Sequence, residues 1–220
     1  EADYDKILNQ PKKILADFTP LFLDRLGQAA PQNYKEIFKI LGDSLAAKDI
    51  LFYFSDVSLQ AMFGEQGWSG EILPTDKDYL NVINTNINGF KTDRVIEQKI
   101  YHQAQVRLDG SIVDTVRILR QHKGGQSQYS WYNKVNADYL RVYVPKGSRL
   151  IAADGQTREA YQAPVDYQAL NFKQDADVAA QEQNMVIDQG SGTQIFEEAG
   201  KTVFGNWVYV SPGETIKITY

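Results

Sequence analysis

The chain has 220 residues, enough for one large domain or two small ones, and its 43% hydrophobic content supports a packed core. A net charge of −5 and a pI near 5.1 provide no basic field for nucleic acid or an anionic membrane surface. Cysteine is absent, which excludes disulfides, thiolate catalysis and cysteine-based zinc or iron–sulfur sites.

Thirteen Tyr, ten Phe and three Trp argue for strands and against disorder. Cysteine avoidance is also a trait of proteins exported by bacteria without a strong disulfide-forming pathway. No run approaches the roughly 20 apolar residues of a membrane span, and no secretory signal is visible. The chain opens on "EADYDK" and stops at Tyr220 inside a predicted strand. It is therefore expected to be a piece of a longer protein, with any anchor outside it.

In chain order, residues 1–75 are expected to form a helical subdomain with one or two strands. Ile7, Leu8, Ile14, Leu15, Phe18, Leu21, Phe22 and Leu26 fall at helix-like spacing, interrupted by Pro11 and Pro20. A second helix carries Tyr34, Ile37, Phe38, Leu41 and Leu45 on one stripe, with Pro31 in its first turn. The apolar run "ILFYF" (50–54) predicts a buried strand. Ser55 or Asp56 then caps a short helix with Leu59, Met62 and Phe63.

From Asp78 the period becomes two, which predicts an antiparallel β-sandwich over 76–220, immunoglobulin-like in class, with about seven strands. "DYLNVINTNI", "VIEQKIYHQAQVRL" and "SIVDTVRILRQH" read as strands, the last two joined at Asp109-Gly110. The loop has two or three residues. The three-residue register, pairing Leu108 with Ile112 and Ala104 with Val116, collects more apolar partners. "YLRVYVP" alternates Leu140, Val142 and Val144 against Tyr139, Arg141 and Tyr143, and "TVFGNWVYV" and "ETIKITY" flank the turn "SPG". Residues 152–194 are polar, and "KQDADVAAQEQN" reads as an exposed loop or frayed helix. The fold class is α+β.

Four phrases stand in order along the chain: "KDILFYFSDVSLQAMFGEQGWSGEI", "DYLNVINTNINGFKTDR", "YLRVYVPKGSRL" and "GKTVFGNWVYVSPGETIKITY". Together they resemble the carboxy-terminal part of the bacterial domain-of-unknown-function family 4012, over roughly residues 35–220. The resemblance implies an extracytoplasmic, cell-surface location and a membrane anchor in a missing amino-terminal portion, with no established activity. Family members carry two glycines after the "NxN" element, whereas this chain has Asn88, a single Gly89 and Phe90, a departure from a loop built for close backbone approach.

Candidate ligand-binding residues are Asn84, Asn86, Lys91, Asp93, Arg94 and Trp68. A row of amides followed by cations suits sugar hydroxyls and phosphate. The competing reading has Asn84 and Asn86 satisfying backbone groups and 91–94 forming a charged turn, and it is preferred. Trp68, between glycines, could stack on a sugar, but plugging a seam between subdomains is the preferred role. His102 and His122 are assigned structural roles, since neither lies in a metal-ligand motif. Ser69 does not satisfy the nucleophile-elbow spacing. No catalytic residue, metal or cofactor is indicated. The expected function is a non-catalytic binding or spacing module whose partner is a cell-wall glycan or another envelope protein. The alternatives are a glycan or phosphoglycan transferase, and a pure scaffold for a missing domain.

Overall fold

The computed structural model describes residues 12–87, 90–158, 166 and 168–220, and the chain divides into two compact units between Leu73 and Pro74. The expectations on Ile7, Leu8, Pro11, Asn88 and Gly89 lie outside the described residues.

In the first unit the two expected helices are one, α1 (Lys13–Ala46), with non-helical backbone at Asn33 (φ −123°, ψ 20°). Pro31, two residues earlier, has no N–H and its ring crowds the preceding turn, so the axis breaks there instead of the helix ending. The Asn33 side-chain amide bridges the break by donating to the Ala29 carbonyl at 3.0 Å. α2 (Val57–Glu65) starts at Asp56, whose carboxylate accepts from the Ser58 and Leu59 N–H groups at 3.0 and 2.9 Å. The run "ILFYF" forms no ladder. Phe52 N–H donates to the Trp68 carbonyl and Phe54 N–H to the Gln60 side chain, while Tyr53 is exposed. Its aromatic content has a local explanation, because Phe52, Phe54, Phe63 and Trp68 pack on one another at 4.6–5.9 Å. Trp68 thus belongs to the aromatic cluster of its own unit.

The second unit is a sandwich of two antiparallel sheets. Its strands are β1 (Asn81–Asn86), β2 (Ile96–Val106), β3 (Ile112–His122), β4 (Asn136–Pro145), β5 (Val186–Ile187), β6 (Gln194–Glu198), β7 (Lys201–Val210) and β8 (Thr215–Thr219). One sheet runs β1-β4-β7-β6-β5, the other β2-β3-β8. The chain is therefore α+β, with helices first and a β-sandwich after. Alternation places Val116, Ile118, Leu140, Val142, Val144, Phe204, Val208, Val210 and Ile218 between the sheets. Tyr143, on the opposite face from Leu140 and Val142, is buried too, and its hydroxyl donates to Glu198 Oε2 at 2.5 Å.

The β2–β3 hairpin has a three-residue loop, shifted by one position from the expected one. Val106 pairs with Ile112 and His102 with Val116, and the loop is Leu108-Asp109-Gly110. Gly110 (φ 83°) takes the left-handed position before the returning strand, while Asp109 Oδ1 accepts from both Ser111 N–H and Ser111 Oγ–H. Turn chemistry outranks the count of apolar partners here. Two strands, β5 in the polar region and β6 at its end, had no sequence expectation. β6 joins β7 through a two-residue turn, Ala199-Gly200, both at positive φ. "KQDADVAAQEQN" forms α3 (Ala176–Gln183), capped by Asp175.

Candidate functional site

Three connections meet at one end of the sandwich: residues 90–95 ahead of β2, 123–135 between β3 and β4, and 211–214 between β7 and β8. What fixes this end is a polar network inside it. Arg120 on β3 is 2% exposed and Asp138 on β4 is 0% exposed, and Arg120 Nη1 lies 3.0 Å from Asp138 Oδ2. The guanidinium also donates to Asn84 Oδ1, to Gln98 Oε1 at 2.6 Å and to Asn136 Oδ1 at 2.8 Å. Asn136 in turn donates to Thr92 Oγ1 at 3.0 Å and Asp93 Oδ1 at 2.8 Å, and Asn86 reaches the same Thr92 hydroxyl at 3.4 Å. Two sheets and the 3-10 turn Thr92–Val95 are thereby tied through one guanidinium.

Burial pushes the Asp138 carboxyl up to about 6; Arg120 opposes that shift, and Asp93 adds to it. Burial likewise draws the Arg120 guanidinium below its ordinary value, against the attraction of Asp138 and Asp93. Perturbed groups in a cleft would suggest chemistry. These two are sealed from solvent, so their perturbation records the cost of burying a charge pair.

The second loop is equally fixed. His122, buried, donates from Nε2 to the Lys134 carbonyl at 2.9 Å and accepts at Nδ1 from Gly124 N–H at 3.0 Å, an arrangement that requires the Nε2–H tautomer. Asn133 Oδ1 accepts from Gly125 and Ser127 N–H, and its amide donates to the Ser127 carbonyl at 2.7 Å. On this frame stand Tyr129 and Trp131, stacked at 4.9 Å with 22° between planes and exposed by 45% and 41%. The 3-10 turns Thr92–Val95 and Ser130–Asn133 pack together, and Lys123 N–H donates to the Val95 carbonyl at 2.7 Å. Exposed Phe90 receives Lys134 Nζ over its ring at 5.9 Å.

Of the residues expected from sequence, Asn84, Asn86 and Asp93 are drawn into the network. Asn84 accepts from the Arg120 guanidinium, and Asn86 donates to the Thr92 hydroxyl. Lys91 and Arg94 are exposed on the same loop, in the turn that packs on Ser130–Asn133. Trp68 lies in the other unit against Phe63. Sequence reasoning missed Phe90, Tyr129, Trp131 and Lys134. The available signal was "SQYSWYN", three aromatics among turn formers between two strands.

No family model, curated protein or solved structure matches the chain.

Proposed function

We propose that this chain is a non-catalytic binding module of a bacterial cell-envelope protein, presented outside the membrane, whose loop end holds an anionic wall glycan. The observation that carries the binding reading is the exposed Tyr129–Trp131 stack on a loop whose backbone is pinned by His122 and Asn133. Pre-organised aromatics lose little conformational freedom when a sugar ring lies on them. Lys91, Arg94 and Lys134, on the same two loops, supply cations for phosphate or carboxylate groups along the polymer. In support of the non-catalytic reading, the perturbed Arg120–Asp138 pair is sealed from solvent. The envelope location rests on the resemblance carried by the four phrases. No helix among the described residues is long and apolar enough to cross a membrane.

The test is titration calorimetry against phosphorylated and neutral wall-glycan fragments. Trp131→Ala weakens binding at least about tenfold, equivalent to about 1.4 kcal/mol, with unchanged folding. Arg94→Ala weakens binding to the phosphorylated fragment alone, and less so at high salt. Equal affinity of both variants and the wild type would remove this end from the account.

A further inference from the structure

We propose that Asp78, His102 and Asp114 form a binding site for one divalent transition-metal ion of the Zn²⁺ class, at a place separate from the loop end and independent of the glycan reading. His102 on β2 and Asp114 on β3 are diagonal neighbours on one face of the hairpin, since His102 pairs with Val116 and Ala104 with Asp114. Imidazole Nε2 lies 3.0 Å from Asp114 Oδ1. Asp78, in the segment leading into β1, brings a third donor, and one ligand atom from each of the three residues lies within 4.8 Å of the others. Donors around a tetrahedral ion at ordinary bond lengths are roughly 3.4 Å apart, so a small rotation of exposed side chains closes the set.

The donor chemistry narrows the ion. One imidazole with two carboxylates favours Zn²⁺, Co²⁺ or Mn²⁺ over the all-oxygen preference of Ca²⁺ and Mg²⁺. Two carboxylates this close repel each other, and a dication neutralises both. The ion takes the place of the hydrogen bond between His102 Nε2 and Asp114 Oδ1. Asp78 is already oriented, because its Oδ1 accepts from the Tyr79 N–H at 2.8 Å, which leaves Oδ2 for the metal. The His102 and Asp114 side chains are 31% and 26% exposed, so the ion has a path in and water completes its coordination. By joining the segment before β1 to the β2–β3 hairpin, the ion ties the two sheets together at their open edge.

The experiment is calorimetric titration of the whole chain with ZnCl₂ alone, repeated with Co²⁺ to read its visible d–d bands. One ion binds per chain with a dissociation constant on the order of micromolar. His102→Gln and Asp114→Asn each weaken it at least about tenfold and lose the Co²⁺ bands, while their circular dichroism without metal stays that of the wild type. Absence of saturable binding, or the same affinity and bands in both variants, would overturn the proposal. Glycan binding by these variants is unchanged, so the two readings fail separately.

Discussion

Replacing Asp138 with alanine lowers the stability of the sandwich by about 3–5 kcal/mol, because the buried Arg120 guanidinium is left facing a cavity in place of an acceptor. Arg120 is 2% exposed and cannot turn outward to recover hydration. Its remaining partners, Asn84, Gln98 and Asn136, do not fill the place of the missing acceptor. The pair is also a reporter of pH. The folded Asp138 carboxyl stands at about 6 against an ordinary 3.8, so the native state favours the protonated form. The contribution of this group is therefore fully present below pH 3.8 and is lost as pH rises through 6. The shift is worth about 3 kcal/mol at roughly 1.4 kcal/mol per unit. Asp138→Asn removes the titration and flattens the stability profile between pH 4 and 6.5 relative to the wild type. Urea denaturation across that range reads both effects. Identical profiles for the two proteins would show that Asp138 does not titrate in the fold.

Gly155→Ala costs about 3 kcal/mol or more and is the most damaging glycine substitution expected in the sandwich. Gly155 has φ 88°, and a Cβ there would stand 1.9 Å from the Lys217 carbonyl oxygen. Left-handed backbone alone costs an alanine about 1–2 kcal/mol, and the clash with main chain adds an overpacking term of similar size. The position matters because its segment closes one edge of the sandwich. Asp154 exchanges backbone bonds with Thr219 of β8 at 2.8 and 2.9 Å, and Thr157 N–H reaches the Trp207 carbonyl of β7 at 2.9 Å. One short stretch therefore ties both sheets. Gly110→Ala is the internal comparison, with φ 83° but nothing within 4 Å of the added carbon, and it loses only about 1–2 kcal/mol. If denaturant midpoints place the two variants together, the close approach at Gly155 is not what constrains it.

Period-two alternation and turn signals were sufficient to place β1–β4, β7 and β8; β3 and β4 alternate buried with less buried positions, whereas β7 is buried on both faces and β2 is largely exposed. They failed where length or partner was lacking. "ILFYF" is apolar enough for a strand, but among the described residues no strand pairs with it, and its rings serve a local cluster instead. β5 and β6 are two and five residues long, and the turn that would have announced β6 hides a left-handed alanine at Ala199. At the candidate site, "NVINTNINGFKTDR" showed its polar character plainly. It could not show that the guanidinium engaging Asn84 comes from Arg120, 36 residues onward. Nor could the sequence reveal that His102 stands diagonal to Asp114, since that depends on a register set by Gly110. Side-chain networks between strands are facts of register, and register is fixed by turns and core together.

The central claim is that a fixed polar interior holds an exposed aromatic and cationic surface at one end of the sandwich for an anionic glycan. Amide and indole NMR shifts during titration with a phosphorylated wall-glycan fragment test it most directly. The account predicts saturable shifts concentrated at residues 90–95 and 123–135, including the Trp131 indole N–H, with β5, β6 and the Leu108–Gly110 loop unmoved. Shifts centred elsewhere, or none at saturating fragment, would contradict it.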